Sequence, residues 1–421
     1  MIYKEYNCNS YNVYTIKTDK YKTSHLELIF RQAIKKEDLP SLAFLADMLS
    51  ESCKEYPSRK ELMIKYEELY KIVVYASDIR VGNVLSFHFY LDFLNPKYIN
   101  DNNYLEEIIK TFFKIVLEPN VVNEEFDLVC FNNVKNRLLK EIAALEENPF
   151  KQCIKKSFRL MDEDSVTSYD LLGTKEDIES ITPHSLYKTY KNLIKNFSSD
   201  IFVIGDVDMD NLTSLIKKYY KNRYINEIDL NYYVDNKLTK KVKKGEDESK
   251  NVQANLALLY NLDGLTELEK NVTLHIFNYI FGSGGLKSKI TQSVREENSL
   301  CYGINSSYLK YDRLLLVHTS LENENIDKAI SLVKKDLKSM QNGEFSEDDV
   351  NDAISNLLVS LDMSSDNSIS VLNNYIFHIY DNLPIIEDRK KMFKNITKED
   401  VVKVAHKVKL NTIFVLKGRE G

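Results

Sequence analysis

Glycine, proline and cysteine are scarce in this chain of 421 residues. It contains 12 Gly and 7 Pro, and so few helix and strand breakers predict long regular elements. Its cysteines are odd in number, and none forms a CxxC pair: Cys8, Cys53, Cys130, Cys153 and Cys301. Neither a disulfide framework nor a thiolate zinc site is therefore expected.

Long apolar runs and a dominant basic stripe are also missing. No apolar run approaches the roughly 18 residues that cross a bilayer, and the opening residues MIYKEYNCNSYNVY hold no signal-peptide core. We therefore expect a cytoplasmic protein without a membrane partner. The net charge of −6 disfavours nucleic acid as a partner. The basic run at 240–244 is followed at once by acidic residues 246–248, which favours a solvated linker.

Familiar catalytic motifs are absent too. The chain has seven histidines, and no two of them stand within five residues of each other: His25, His88, His184, His275, His318, His378 and His406. There is no G-x-S-x-G nucleophile elbow, phosphate-binding P-loop or G-x-G-x-x-G fingerprint. We expect this chain alone to have no catalytic chemistry.

The chain repeats itself about half a chain length apart. Residues 181–208 and 396–418 each begin with Ile-Thr, continue with an amphipathic helix and end in a hydrophobic strand that runs into glycine. Such a repeat predicts two duplicated domains. We expect an α+β fold with an antiparallel or mixed sheet in each domain and helices on one sheet face. The predicted boundaries are 1–222 and 251–421, with a linker at 223–250.

Periodicity predicts several elements of these domains. Residues 84–93, VLSFHFYLDF, alternate in a way typical of a half-buried strand, and 254–260 reads as the first long strand of the second half. Residues 103–117 and 123–146 carry helical periodicity, the second with an apolar stripe through Val134, Leu138 and Ile142.

The richest segment is 281–307, FGSGGLKSKITQSVREENSLCYGINSS. Its glycine-rich turn can adopt positive φ and approach another chain closely; the turn comprises Gly282, Ser283, Gly284 and Gly285. Arg295 can donate a charge-assisted hydrogen bond, and Tyr302 can donate to a developing oxyanion. Taken singly, each feature has a plainer explanation: a helix-start loop, a surface ion pair of Arg295 with Glu296 or Glu297, and a half-buried tyrosine.

This segment resembles the second-half signature of the insulinase, pitrilysin and mitochondrial processing peptidase superfamily of inverzincin zinc peptidases. In that superfamily an Arg and a Tyr at this spacing bind substrate beside a zinc ion. The resemblance extends over essentially the whole chain. Two departures are Cys301, where a small residue is usual, and Lys289, where an Arg is common.

The zinc-binding half of the resembled pattern is degenerate. Active members carry H-x-x-E-H, which places two imidazoles one helical turn apart with a general base between them. Anchored on Tyr56-Pro57, the corresponding positions are Ala43, Phe44, Leu45, Ala46 and Asp47. The counterpart of the third ligand is Glu141, which reads equally well as a helix-surface carboxylate. A lone Glu, even aided by Asp47, is a poor zinc site, so we expect no metal here and zinc on a partner.

The resemblance is greatest to bacterial subunits that lack the zinc motif and are paired with an active relative. It implies two clam-like subunits that enclose a chamber for a peptide or an unfolded segment. The expected function is a non-catalytic, substrate-binding subunit of a heterodimeric zinc peptidase, supplying Arg295, Tyr302 and the glycine-rich turn. Two alternatives remain: a structural or assembly protein on the same fold, and a self-sufficient peptidase with an unrecognised site.

Overall fold

The structure is a computed structural model that describes residues 1–221, 230–237 and 239–419. These residues form two compact units. Unit 1 is drawn from 1–142, 170–232 and 367–376, and unit 2 from 143–169, 233–366 and 377–421. Within the described stretches, no helix combines the length and apolar character that crossing a bilayer requires.

Strands and helices alternate along the chain. The strands are β1 (Ile2–Asn7), β2 (Asn12–Lys17), β3 (Thr23–Ala33), β4 (Val73–Val81), β5 (Val84–Leu94), β6 (Val121–Val122), β7 (Glu125–Phe126), β8 (Ser198–Gly205), β9 (Lys243–Glu248), β10 (Ala254–Leu262), β11 (Cys301–Leu309), β12 (Leu314–Leu321) and β13 (Val408–Lys417). The α-helices are α1 (Leu39–Leu49), α2 (Arg59–Glu68), α3 (Tyr104–Leu117), α4 (Leu128–Glu147), α5 (Pro149–Met161), α6 (Lys175–Ser180), α7 (Pro183–Asn196), α8 (Met209–Tyr219), α9 (Leu274–Asn278), α10 (Ile326–Gln341), α11 (Glu347–Ser364), α12 (Ser368–Asp381), α13 (Ile386–Lys394) and α14 (Lys398–Ala405). Wider, π-type helical segments span Glu269–Thr273, Tyr279–Ser283 and Thr291–Glu296.

The two large sheets share one topology. Sheet 1 has the order β1-β2-β8-β3-β5-β4, and sheet 2 the order β11-β12-β10-β13-β9. Read from its β9 end, sheet 2 repeats the path β2-β8-β3-β5-β4. In each sheet one pair is parallel, β2 with β8 and β13 with β9, and the remaining pairs are antiparallel. The predicted α+β fold with two homologous halves and mixed sheets is confirmed.

The helix–strand repeat that led to this prediction is visible in atomic detail. The hydroxyl of Thr182 accepts a 3.1 Å hydrogen bond from the Ser185 N–H and so caps α7. Thr397 does the same for α14, accepting from the Asp400 N–H at 3.3 Å. Helix α7 leads into β8 and helix α14 leads into β13. Each of these strands belongs to the parallel pair of its sheet. Each threonine therefore satisfies an N–H that the first helical turn would leave unpaired.

Part of the predicted linker is a strand. Residues 222–229 and 238 lie outside the described residues, but 243–248 form β9, which pairs in parallel with β13. The second repeat therefore begins before residue 251. The error has a physical reason: β9 reads KKGEDE and is an edge strand with mostly exposed side chains, so its composition resembles that of a loop.

Each unit contains helical residues from the other half of the chain, so a single boundary at residue 222 does not describe the two units. Helix α5 belongs to unit 2, where Cys153 and Met161 pack with Leu259, Leu314 and Phe414 of sheet 2. Residues 367–376 of α12 belong to unit 1, where Tyr375 stacks on Tyr3 of β1 with ring centroids 5.6 Å apart. An amphipathic stripe predicts that a helix face is buried, but not which sheet buries it.

Strand β5 is buried on both faces, so the prediction of a half-buried strand was wrong. Its alternating Leu85, Phe87, Phe89, Leu91 and Phe93 do lie in the core, but Ser86, His88 and Tyr90 on the opposite face are buried as well. The strand lies inside sheet 1, between β3 and β4. Its polar face can stay buried because its side chains bond to those of the neighbouring strand: His88 Nδ1 lies 2.5 Å from Oε1 of Glu27 on β3.

Candidate functional site

The glycine-rich turn ends the helical stretch that follows β10, and each glycine has a structural reason. A Cβ at Gly282 would lie 2.5 Å from both Ile290 Cδ1 and Ser306 Oγ, so this glycine allows close packing of the helix on β11. Gly284 closes the helix by donating its N–H to the Tyr279 carbonyl at 2.9 Å. Gly285 adopts φ +64°, in the left-handed region, with open space around it. Ser283 is exposed.

Arg295 lies at the end of the π-type segment Thr291–Glu296. The chain then turns sharply at Ser299, whose φ is 53° and whose N–H bonds to the Arg295 carbonyl at 2.9 Å. Leu300 is buried immediately after the turn and fixes the start of β11. Segments of π-type helix are frequent at functional sites because the extra residue per turn re-aims side chains.

Tyr302 projects from an irregularity in an edge strand. Cys301 pairs with Leu321, but the next pairing is Ile304 with Thr319, so Tyr302 and Gly303 form a bulge in β11. The Thr319 hydroxyl stabilises this bulge by donating a 2.7 Å hydrogen bond to the Gly303 carbonyl. A bulge bends the strand and redirects its side chains. Tyr302 is consequently 91% exposed, the most exposed large hydrophobic side chain of the described residues.

The structure brings Arg295 and Tyr302 together. The guanidinium carbon of Arg295 lies 5.6 Å from the centroid of the Tyr302 ring, a cation–π contact worth about 0.5–1 kcal/mol at an exposed site. Arg295 Nε also lies 3.3 Å from Glu296 Oε1, so the surface ion pair considered from the sequence is present too. A cation, a phenol and an unpaired strand edge thus occur at one place on the surface of unit 2.

The two departures from the family pattern have structural roles. Burial raises the pKa of the Cys301 thiol, which keeps it protonated and a poor nucleophile. Lys289 Nζ donates to the Glu344 carbonyl at 2.7 Å, beyond the end of α10. Neither residue obstructs Arg295 or Tyr302.

The degenerate zinc motif lies on α1, where Ala43, Phe44 and Ala46 are buried and offer no metal ligand. Phe44 stacks on Phe131 of α4, with ring centroids 4.7 Å apart. Asp47, the last motif position, is half-buried, and Glu141 is exposed on α4. The donor set contains no imidazole, so these residues do not fit a zinc ion.

An ion-pair network that the sequence analysis missed joins α1 to α4 at this place. Arg137 donates to Asp47 Oδ2 from Nε at 3.1 Å and from the second terminal nitrogen at 3.0 Å, and to Glu51 Oε1 at 2.8 Å. Arg137 lies one helical turn before Glu141, whereas Asp47 is on α1 and Glu51 follows the end of that helix. The four-residue spacing of Asp47 and Glu51 could have indicated that both carboxylates bind one cation. Their partner Arg137, however, is 86 residues or more away in sequence.

Strand β4 adds a half-buried carboxylate, Asp78, to this region. Desolvation raises the pKa of Asp78 to about 6, the charges of Asp47 and Glu141 act in the same direction, and its own N–H and His88 oppose them. Its Oδ2 is sealed from solvent without a hydrogen-bond partner in the described part of the chain. Asp78 of β4 and Asp47 of α1 are therefore two carboxylates close enough for the charge of one to affect the other.

Two histidines lie in a buried polar group on sheet 1. His25 Nδ1 is 2.5 Å from Asp92 Oδ1, and Glu27 lies between the two imidazoles, with Oε1 2.5 Å from His88 Nδ1. Its Oε2 is 3.9 Å from His25 Nε2. Nowhere in 1–221, 230–237 or 239–419 do three His, Cys, Asp or Glu side chains come together in a way that could hold a metal ion.

Comparisons with known proteins agree with this picture. Residues 180–357 match the family model described as "Peptidase M16 inactive domain". The chain is 29% identical over 413 residues to a protein of Bacillus subtilis (strain 168) named "Probable inactive metalloprotease YmfF", and the match covers 96% of this chain and 95% of that protein.

Two solved structures share the fold over its whole length. A conserved protein from Enterococcus faecalis V583 superposes with a TM-score of 0.93 at 22% identity, covering 100% of this chain and 99% of the other. The peptidase M16 inactive domain from Pseudomonas fluorescens gives 0.81 at 16% identity, again covering 100% and 99%. The resemblance stated from the sequence is confirmed: the chain is similar to peptidase M16 proteins, and both the matched family model and the Bacillus subtilis relative are described as inactive.

Proposed function

We propose that this chain is the non-catalytic, substrate-binding subunit of a heterodimeric cytoplasmic zinc peptidase that processes peptides. The observation that carries the proposal is Tyr302, which is 91% exposed on a bulge with Arg295 beside it. Exposing a large aromatic ring in this way gives little folding stability, because hydrophobic stabilisation scales with the apolar area removed from water. A ligand that covers the ring and accepts a hydrogen bond would use both groups.

An extended peptide fits this place by adding to a sheet edge. Strand β11 is one of the two edge strands of sheet 2 among the described residues, and an unpaired edge binds main chain with little demand on sequence. The guanidinium of Arg295 would bind a peptide carbonyl or carboxylate, and the Tyr302 hydroxyl would donate to a carbonyl oxygen. Positively charged and phenolic donors at the start of the strand would then fix the register of the peptide.

A homologous partner would supply what this chain lacks. The motif positions here hold Ala43, Ala46 and Asp47, and Asp47 is already paired with Arg137. We therefore assign zinc and the general base to the partner subunit, and peptide binding at Arg295 and Tyr302 to this one. We also assign substrate binding to the glycine-rich turn, Gly282–Gly285, whose first glycine packs closely against Ser306 of β11.

The experiment is a peptidase assay of the chain mixed with the zinc-bearing M16 protein of the same cell, using a library of quenched fluorescent peptides. Tyr302→Ala and Arg295→Ala should each lower kcat/KM about 10- to 100-fold. Tyr302→Phe separates the hydroxyl from the ring. Tyr98→Ala is the matched control, because Tyr98 is 51% exposed and has Lys97 over its ring at 5.2 Å.

The control should leave kcat/KM unchanged, and a chelator should abolish the activity of the mixture. If the partner alone is equally active, or if Arg295→Ala and Tyr302→Ala match the unaltered chain in the mixture, the proposal is wrong. That result would favour a structural or assembly role for the same fold.

A further inference from the structure

A positively charged side chain without an acidic partner lies beside the hairpin that follows β11. Arg389 is on α13 and is half-buried. Its Nε is sealed from solvent and has no hydrogen-bond partner in the described part of the chain. Burial lowers the pKa of its guanidinium, and the one described group whose charge opposes this shift is the phenol of Tyr311, not a carboxylate. Because arginine stays charged in proteins, α13 carries a half-buried cation that no acid in 1–221, 230–237 or 239–419 pairs with.

The cations of the neighbouring hairpin already have acidic partners. Lys310 Nζ lies 2.8 Å from Asp381 Oδ2, and these two side chains are only 14% and 9% exposed. Arg313 Nη1 lies 2.6 Å from Asp235 Oδ1. Burial lowers the pKa of Lys310, and the charge of Arg389 acts in the same direction, which shows that these two cations lie near each other. The ion pairs of the hairpin therefore leave one positive charge over, that of Arg389.

The face of α13 that carries Arg389 is directed toward β11. Phe393 lies one helical turn after Arg389 on this face, and its ring centroid is 6.4 Å from that of His275. The His275 ring is in turn 5.3 Å from that of Tyr308, near the end of β11. Burial lowers the pKa of His275 to about 4, and the charge of Arg389 acts in the same direction. Arg389 therefore lies at the hairpin end of β11, whereas Tyr302 lies at the start of the same strand.

We infer that Arg389 binds a carboxylate of the peptide that lies along β11, an inference that rests on the function proposed above. A planar guanidinium binds a carboxylate through two parallel hydrogen bonds, and one negative charge matches the one positive charge left over. At about 3.3 Å per residue, the stretch from Tyr302 to Tyr311 spans about 30 Å. The group is either the C-terminal carboxylate of a peptide that runs parallel to β11 or an acidic side chain at that distance.

The probes are fluorescein-labelled, uncharged peptides of about ten residues, long enough for this span, that differ only at the carboxyl end. One is a free acid, the second its amide, and the third an amide whose last residue is Glu. Fluorescence anisotropy with the full chain should show binding about tenfold tighter for the peptide with the recognised carboxylate than for the plain amide, and whether the acid or the Glu amide has this preference identifies the group. Arg389→Gln should remove the preference, and Arg389→Lys should keep part of it, because a lysine cannot form the paired bonds. Lys391→Gln, an exposed cation two positions along α13 and on another face, is the matched control and should change nothing.

Arg295→Ala separates the two arginines, because it should weaken binding of all three peptides while keeping the preference among them. Equal binding of the three peptides by the unaltered chain, or a preference that survives Arg389→Gln, would overturn this inference and leave the proposed function standing. Binding that neither Arg295→Ala nor Tyr302→Ala weakens would instead contradict the proposed function, and failure of every peptide to bind would overturn both. Thermal unfolding midpoints check that Arg389→Gln is folded, and the midpoint should not fall, since the substitution removes an unpaired, half-buried charge.

Discussion

Replacing Asp78 by Asn should stabilise the protein at neutral pH and leave it unchanged in acid. Burial raises the pKa of Asp78 to about 6, and the nearby Asp47 and Glu141 reinforce the shift. The ionised side chain is thus held in a place that favours its neutral form. Asparagine has the same shape and carries no charge, so it removes the cost of ionisation while keeping the packing of β4 on α1.

The size and sign of the effect follow from linkage. The ordinary pKa of an aspartate side chain is 3.8, and the pKa of Asp78 in the folded protein is about 6. The native state therefore binds the proton more tightly than the unfolded state, so the free energy of unfolding falls as pH rises from about 4 to 6. A shift of about two units corresponds to an upper limit of roughly 3 kcal/mol. Because the residue is only half-buried, we expect a gain of about 1–2 kcal/mol above pH 7.

The assay compares thermal unfolding midpoints of Asp78→Asn and the unaltered chain between pH 4 and 8. For a unit of this size, 1–2 kcal/mol corresponds to about 3–6 °C. The difference should be present at pH 7.5 and vanish near pH 4. Asp263→Asn, which changes an exposed aspartate, is the matched control and should give no pH-dependent difference. A gain for Asp78→Asn of equal size at every pH, or a loss at neutral pH, would refute the reasoning.

Two further substitutions test the packing of the candidate site and of the degenerate zinc motif. Gly282→Ala should lower the free energy of unfolding by about 1–3 kcal/mol, because its Cβ would lie 2.5 Å from Ile290 and Ser306. Gly303→Ala is the control and should be nearly neutral, because its Cβ meets no atom within 4 Å. Denaturant midpoints measure both effects, and equal losses would contradict this explanation of Gly282. Arg137→Ala should cost about 0.5–1 kcal/mol by breaking its half-exposed pairs with Asp47 and Glu51. It should not create stoichiometric zinc binding in equilibrium dialysis, because no imidazole is present, and retention of one zinc per chain would disprove that account of the site.

Local signals predicted the repeat and the candidate pair well. The capping threonines Thr182 and Thr397 each start the predicted helix, because a cap depends only on residues a few positions away. Arg295 and Tyr302 come together because a short helix end and one turn separate them. The bulge that exposes Tyr302 was not predictable, since it depends on how β11 pairs with β12.

Interactions between distant segments were not predictable from one sequence. His25, Glu27 and His88 form a buried group only because β3 and β5 pair in one register. Strand β9 reads as a linker because its backbone, not its side chains, holds it in sheet 2. Asp47 was considered as a weak ligand, but its partner Arg137 is on another helix and leaves no trace in the local pattern.

The helices that the two units exchange have a consequence for how this protein can be divided. Severing the chain after residue 222 would leave the α5 residues Cys153 and Met161 on a fragment without the strands they cover. The other fragment would keep Tyr375 but lose the β1 residue on which it stacks. Although the two large sheets share one topology, neither half of the chain contains all the residues of one compact unit. We therefore expect proteolysis or truncation at the midpoint to yield two aggregating pieces instead of two stable domains.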